Sequence, residues 1–292
     1  MTETTSLSFS LAGEAALAAV AVETVLNQQL QAEVPLMPWP EDACEIAHEE
    51  AVFGRLLRDT LDNQPEKVRM SYGSNCDRRL WYCAHEAGEA GKNPEDVAQM
   101  RLRTFQGHAW EAFGLVLLEG GLAESPMFEF VDAGQRLLRM RLETGYQLEG
   151  HIDGMLRSKR TGQVFIMDFK FKGEWIWRSW ELTRDGHAPG ELWGERYQAG
   201  LYTMALVESG EPVGGFLWPT LVDYRNGPRV ECAWATRALL DPWGREALEK
   251  IVRVFSTDTP PAPVNPGRDA SPCRGKTKVY CPFWQFCKED HR

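Results

Sequence analysis

The stretch GHIDGMLRSKRTGQVFIMDFKF, residues 150–171, decides the fold. Two runs rich in β-branched, aromatic and alternating residues flank Lys159-Arg160-Thr161-Gly162, whose composition is typical of a tight turn. Residues 146–157 and 163–171 are therefore predicted to form paired strands, and residues 136–142 add a strand before them. The pattern predicts a meander of three strands.

Two acidic residues and a lysine lie at matching positions in this predicted meander. Alternation places Asp168 and Lys170 on one face of their strand and turns Phe169 to the other face. Pairing across the turn brings Asp153 alongside Asp168. Two carboxylates on neighbouring strands suit Mg²⁺ or Mn²⁺, which prefer oxygen ligands. Lys170 adds a positive charge near an attacking water and a phosphodiester, so the three residues predict metal-dependent hydrolysis.

Predicted helices before and after the meander carry further candidates. His108 lies in the helical pattern of residues 101–118, and a neutral imidazole can complete the shell of Mn²⁺. Gln198 and Tyr202 are four residues apart in the pattern of residues 191–208, so both project from one helix face and can hydrogen-bond a phosphate or the lysine. Asp-x-Lys alone is common; the ordered set is the informative feature.

The remaining segments predict an α/β chain of three parts. The core spans residues 46–258, with a helix over 46–61, a strand pair at 213–222 and 229–234, and an amphipathic helix over 241–255. Residues 1–45 are polar and alanine-rich and end in prolines, which is typical of a mobile arm or a loosely docked helix. Residues 259–292 are a proline-rich tether followed by a cysteine-rich tail.

The cysteines indicate a metal site rather than disulfides. The chain has 7 cysteines and no secretory signal pattern. Cys273, Cys281 and Cys287 fall within the tail, and Cys76 is the best remote partner, with Cys83 second. Four thiolates hold zinc or an iron–sulfur cluster, and the layout of one plus three favours the cluster over the two close pairs of zinc sites. Ordinary reduced cysteines are the alternative.

Charge and hydropathy limit the partners. The formal net charge is −10, so a nucleic acid would have to meet a local basic surface. No apolar run is long enough to cross a bilayer, and a reducing, cytoplasmic location is expected. The sequence leaves oligomerisation open.

The ordered motifs resemble those of the RecB-type nucleases of the PD-(D/E)xK superfamily, and within it the iron–sulfur exonucleases. These include CRISPR-associated nucleases of spacer acquisition and the nuclease domain of the AddB helicase subunit. The resemblance covers residues 76–287. It implies a restriction-endonuclease-like core, a mixed central sheet flanked by helices, that acts on DNA with Mg²⁺ or Mn²⁺. The implied metal ligands are His108, Asp153 and Asp168, beside the motif residues Lys170, Gln198 and Tyr202; the implied ligands of a [4Fe-4S] cluster are Cys76, Cys273, Cys281 and Cys287.

Basic and aromatic residues interleave around the predicted site, which is how proteins hold single-stranded nucleic acid. The candidate DNA-binding residues are Arg78, Arg79, Lys172, Trp175, Trp177 and Arg178. For the aromatic run of residues 175–180, a core helix or an interface patch is the alternative. An exonuclease on single strands, ends or flaps, with recombination or CRISPR adaptation proteins as partners, is the preferred interpretation. Two alternatives remain: a DNA-binding processing factor with weak or no cleavage, and a zinc-stapled structural protein.

Overall fold

The computed structural model describes residues 11–31, 67–70, 76–85, 107, 110–132, 136–189 and 194–262. Several sequence predictions lie outside these residues: the helix over residues 46–61, most of the tether and tail, His108, Cys273, Cys281 and Cys287. The side chains of Arg79 and Cys83 also lie outside them. What the sequence predicts for these residues stays a prediction.

The described residues form both helices and strands. The helices are α1 (Leu11–Gln31), α2 (Asp77–His85), α3 (residues 110–122), α4 (Glu174–Trp177), α5 (Glu195–Glu208) and α6 (Arg237–Phe255). The strands are β1 (Lys67–Arg69), β2 (Phe128–Asp132), β3 (Leu137–Arg141), β4 (Gln147–His151), β5 (Gly154–Ser158), β6 (Val164–Met167), β7 (Lys170–Gly173), β8 (Glu181–Thr183), β9 (Gly186–Ala188), β10 (Val213–Tyr224) and β11 (Gly227–Thr236). The predicted helices after the meander form as α5 and α6, and the predicted strand pair forms as β10 and β11.

One large sheet organises the described residues. Its strand order is β2-β5-β6-β10-β11-β9-β8, and β7 pairs with β10 beyond the end of β6. Neighbours are antiparallel except where β6 and β7 run parallel to β10. A parallel pair needs a crossover connection, and α5 lies in the connection from β7 to β10. The predicted mixed sheet flanked by helices is confirmed at this level.

Hydrophobic residues fill both faces of the sheet. Alternation along β10 sends Phe216 and Trp218 into one core, which also contains buried residues of α5 and α6, and sends Leu217 into another, shared with α1 and α3. Helices α5 and α6 approach closely at Gly200 and Gly244, where a Cβ on Gly200 would lie 2.3 Å from the Gly244 amide nitrogen. The sheet is therefore a central layer between helices. No helix of the described residues has the length and apolar character needed to span a bilayer.

The N-terminal segment is part of this core. Helix α1 lies against β10 and β11 and buries Ala15, Ala18 and Val22. The Asn27 side chain donates to the Val230 carbonyl oxygen at 2.8 Å and accepts from the Val230 amide at 3.3 Å. The interpretation of residues 1–45 as a mobile arm or a loosely docked helix is therefore corrected for residues 11–31, because small side chains let this helix pack closely on the sheet.

The predicted meander is divided between two sheets, which corrects the sequence analysis. The 146–157 run is split into β4, which joins β3 and β1 in a separate three-stranded sheet, and β5, which joins the large sheet. The 163–171 run is likewise split into β6 and β7. The turn between β5 and β6 forms as predicted, with Gly162 at a φ of 74° and its amide bonded to the Ser158 carbonyl at 2.8 Å.

Candidate active site

Both candidate aspartates lie at the strand breaks. Asp153 stands between β4 and β5, and Asp168 stands between β6 and β7. The second break has a cause in the partner strand, because the register places Asp168 and Phe169 beside Trp218 and Pro219 of β10. Proline offers no amide hydrogen to a ladder, so the pairing is interrupted here and resumes at Lys170.

The two breaks meet in space. Gly154 pairs with Met167, and the Asp153 amide donates to the Met167 carbonyl at 3.2 Å, so Asp153 lies next to Asp168. The Phe169 amide donates to Asp153 Oδ2 at 2.6 Å, and the Asp168 amide donates to the Leu217 carbonyl at 3.1 Å. Both carboxylates are buried. The predicted adjacency of the two aspartates is confirmed.

Lys170 completes the predicted group. Its ammonium forms an ion pair with Asp168 Oδ2, so these two side chains share a face as predicted. Phe169 turns the other way and packs edge-to-face on Trp110 of α3, with ring centroids 5.8 Å apart. Burial lowers the pKa of Lys170, but the charges of Asp168 and Asp153 more than offset this, so the pKa is raised and the lysine is held as a cation.

The carboxylates are crowded for a pair of anions. Burial, then the charge of Asp168 and then that of Glu111, raises the pKa of Asp153 well above its usual range. Asp168 Oδ2 is buried and pairs with the Lys170 ammonium. Glu111 lies on α3, in the helical segment predicted around His108. Its place three residues after His108 in the sequence predicts that it lies on a nearby face of that helix.

Gln198 and Tyr202 come together as their spacing predicts. The Gln198 amide donates to the Tyr202 hydroxyl at 2.8 Å. Tyr202 is buried and fills the space over Gly150 near the end of β4, where an added Cβ would lie 2.3 Å from Tyr202 Cε1. Since Gly150 is three residues before Asp153, this pair supports the strand end that delivers the first aspartate.

The same face of α5 carries a third polar residue, which sequence reasoning missed. Glu195 is the first residue of α5, three before Gln198 and seven before Tyr202, so all three share a face. It forms an ion pair with Lys172 of β7, with side-chain exposures of 17% and 16%. Burial raises the pKa of Glu195, but Lys172 and then Lys170 outweigh burial, so the pKa is lowered. Periodicity back from Gln198 is the signal that could have found it.

The predicted DNA-binding residues divide by exposure. Trp175 is 76% exposed, and Arg178 is exposed while paired with Glu174 at 2.5 Å. Trp177 and Arg78 are buried: the Trp177 indole donates to Glu231 at 2.6 Å, and the Arg78 guanidinium donates to the Pro261 carbonyl at 3.1 Å. The prediction that these two side chains face DNA is therefore wrong for this structure, because each is turned inward by an internal acceptor. Lys172 is engaged by Glu195.

The described aspartates provide oxygen donors that suit part of the coordination shell of a hard cation. Within the described residues, no group of three or more His, Cys, Asp or Glu side chains is arranged to hold a metal ion. Asp153 and Asp168 nevertheless offer adjacent buried oxygens. Mg²⁺ and Mn²⁺ take such oxygens together with water, so the pair fits part of their coordination shell.

The start of the C-terminal segment runs beside Cys76. Cys76 is half-buried immediately before α2. The Trp81 indole of α2 donates to the Thr257 carbonyl at 2.9 Å, and Arg78 holds Pro261, as described above. After α6, the chain therefore runs along α2, the helix that follows Cys76.

The chain has a distant likeness in fold to solved structures. The sequence matches no protein-family model and no curated protein. A crystal structure of a Eubacterium rectale protein, provisionally named an exonuclease, is similar to 71% of this chain and 86% of its own, with 13% sequence identity and a TM-score of 0.44. Function is therefore inferred from the site's own residues.

Proposed function

We propose that this chain is a metal-dependent deoxyribonuclease with a PD-(D/E)xK-type centre. The observation that carries the proposal is the buried Asp153–Asp168 pair at two adjoining strand breaks, with the Lys170 ammonium against it. Buried like charges are unfavourable unless a cation joins them, and perturbed carboxyls of this kind concentrate at functional sites. The grouping supports hydrolysis of a phosphodiester.

Each side chain has a role in this proposal. Asp153 and Asp168, with His108 from the predicted ligand set, would hold Mg²⁺ or Mn²⁺, which when bound activates water and neutralises phosphate charge. Lys170 keeps its ammonium beside Asp168 and stabilises negative charge that develops on the phosphoryl oxygens. Gln198 and Tyr202 hold the end of β4 and thereby orient Asp153.

The proposed substrate is DNA with a free end, in single strands or flaps. Trp175 lies five residues after Lys170 in the sequence and is the most exposed of the predicted aromatic residues. A DNA base can therefore stack on it while the phosphate backbone of the DNA lies at the aspartates. Arg178 offers a nearby positive charge on a chain of net charge −10. Such an enzyme would serve recombination, repair or CRISPR adaptation.

Digestion of end-labelled oligonucleotides tests the proposal. The parent protein is expected to shorten single-stranded DNA with Mg²⁺ or Mn²⁺ and to be inactive with EDTA. Asp168→Asn and Lys170→Met should each lower the rate at least about 100-fold. Glu129→Gln is the matched control, because it removes a carboxylate paired with Arg157 on the same sheet at a half-exposed position. A folded Asp168→Asn protein that still cuts would refute the site; binding without cutting by the parent would favour a DNA-processing factor.

We also propose a [4Fe-4S] cluster held by Cys76, Cys273, Cys281 and Cys287, with zinc as the alternative metal and Cys83 as the alternative to Cys76. The tether begins beside α2, and the 11 residues from 262 to 273 can span up to about 35 Å, enough to return to Cys76. Iron and sulfide analysis after anaerobic purification tests this. Cys281→Ser should lose the metal, whereas Cys232→Ala, a buried cysteine of β11, should retain it. Zinc without iron would replace the cluster by a zinc site.

A further inference from the structure

Two ion pairs lie close together on β7. Lys170 pairs with Asp168, and Lys172 pairs with Glu195 of α5. Lys170 and Lys172 are two residues apart on one strand face, which separates their Cα atoms by roughly 7 Å. Glu195 is therefore near both lysines, and its negative charge acts on Lys170 together with those of Asp168 and Asp153.

Binding of a divalent cation would change the charges that act on Lys170. This step rests on the proposed function, in which the two aspartates become metal ligands. Their charge is then shared with the cation, and the cation itself repels the nearby ammonium of Lys170. Among the described residues that act on Lys170, Glu195 is the carboxylate that is not a proposed ligand.

We propose that Glu195 is a positioning residue that keeps Lys170 beside the scissile phosphate when a divalent cation occupies the two aspartates. Its place in the fold suits this role. Glu195 is the first residue of α5, and the first turn of a helix stabilises an anion. The Gln198–Tyr202 pair on the same helix face fixes α5 against β4, so the carboxylate is held by a rigid element.

The first test is Glu195→Gln, which keeps the size of the side chain and removes its charge. Mn²⁺ affinity, measured by calorimetry on the DNA-free protein, is expected to fall about tenfold, because two unbalanced ammonium groups then face the cation. The kcat on single-stranded DNA should also fall about tenfold, whereas KM should stay the same or decrease because Lys172 is released toward phosphate. Glu195→Asp should recover part of both losses.

A matched control removes a comparable acid at the far end of the same helix. The 14 residues of α5 extend roughly 21 Å, and Glu211 follows the end of the helix opposite Glu195, where it is paired with Arg136 at 3.0 Å. Glu211→Gln should leave Mn²⁺ affinity and kcat at parental values. Equal losses in both variants would overturn the proposal, because they would reflect overall charge alone.

The charge-swapped double variant Lys172→Glu with Glu195→Lys separates positioning from a purely structural ion pair. The swap restores a bridge between β7 and α5, so the melting temperature should stay near that of the parent. It also places a cation beside Lys170, so Mn²⁺ affinity and kcat should remain at least about tenfold low. Parental kcat and affinity in the swapped protein would overturn the inference while leaving the proposed nuclease function intact; a parent protein that never cleaves DNA would instead refute the function.

Discussion

Gly114→Ala is expected to impair the site from the opposite face of the sheet. Gly114 lies on α3 directly over Phe169, the residue between Asp168 and Lys170, and an added Cβ would lie 2.4 Å from Phe169 Cε1. Ordinary carbon contacts are about 3.5–4.0 Å, so the ring has to move by about 1 Å. Phe169 is linked through its backbone to both active-site neighbours, and a displacement of about 1 Å can cost roughly 100-fold in rate.

The stability change should be much smaller than the activity change. Alanine in a helix gains about 1 kcal/mol over glycine, whereas overpacking costs about 1–3 kcal/mol. The net loss is therefore about 0–2 kcal/mol, or a few degrees of melting temperature at about 2–4 °C per kcal/mol. Gly120→Ala on the same helix is the matched control, since nothing lies within 4 Å of its added Cβ.

Initial rates on an end-labelled single strand with Mn²⁺, together with thermal melting by circular dichroism, measure both effects. We expect kcat to fall by about one to two orders of magnitude for Gly114→Ala and to stay unchanged for Gly120→Ala, which should melt slightly higher. A well-folded Gly114→Ala protein with the parental kcat would refute the reasoning that Phe169 sets the positions of Asp168 and Lys170.

Asp153→Asn keeps an acceptor for the Phe169 amide but removes an anion whose pKa is raised by burial and then by Asp168, so cleavage should be lost while the melting temperature at neutral pH rises. A raised carboxyl pKa means that the folded state holds the proton more tightly than the unfolded state does, so ionisation destabilises the parent. The gain in melting temperature of the variant over the parent should therefore grow as pH rises from about 3.9 through the folded pKa and should disappear at lower pH. A variant that melts below the parent at pH 7 would contradict this. Trp175→Ala should raise KM for single-stranded DNA about tenfold with little change in kcat, as loss of one stacked base predicts, and an unchanged KM would remove Trp175 from the DNA path. Ala18→Asp should unfold or strongly destabilise the protein because it buries a charge under α1, whereas Val20→Asp on the exposed side of that helix should be tolerated; equal melting of the two would contradict the docking of α1.

Local sequence patterns predicted the individual strands and turns better than they predicted which strands pair with one another. The turn closed by Gly162 and the β10–β11 pair follow from short-range rules, and both form. The 146–157 run reads as one strand because its alternation continues through Asp153, yet its halves enter different sheets. Sheet membership is decided by long-range pairing, such as that of β4 with β1, which no local pattern contains. Tertiary context therefore overrides local propensity at this junction.

Exposure was the property that sequence reasoning could predict least. Trp175 and Trp177 belong to one aromatic run, but the first is 76% exposed and the second 4%. The difference arises because Trp177 reaches Glu231 on β11, a partner distant in sequence. In α1, an alanine-rich composition concealed a face of small residues that packs on the sheet. Burial by close backbone approach needs little apolar area per residue, so composition alone does not indicate it.

The position of Asp153 unites the fold with the proposed chemistry. Pro219 removes a ladder donor from β10, so the pairing with β10 is interrupted after the Asp168 amide, which donates to the Leu217 carbonyl, and resumes at Lys170. The Phe169 amide within this interruption donates to Asp153 Oδ2 at 2.6 Å, so the carboxylate provides the acceptor that a buried amide needs. The same bond holds Asp153 next to Asp168. In an unbroken strand pair, backbone carbonyls would accept from the amides, so no carboxylate would be needed at position 153. The side chains of such a pair would also lie farther from the backbone. The interruption that weakens the sheet is thus the feature that brings two carboxylates and an ammonium together.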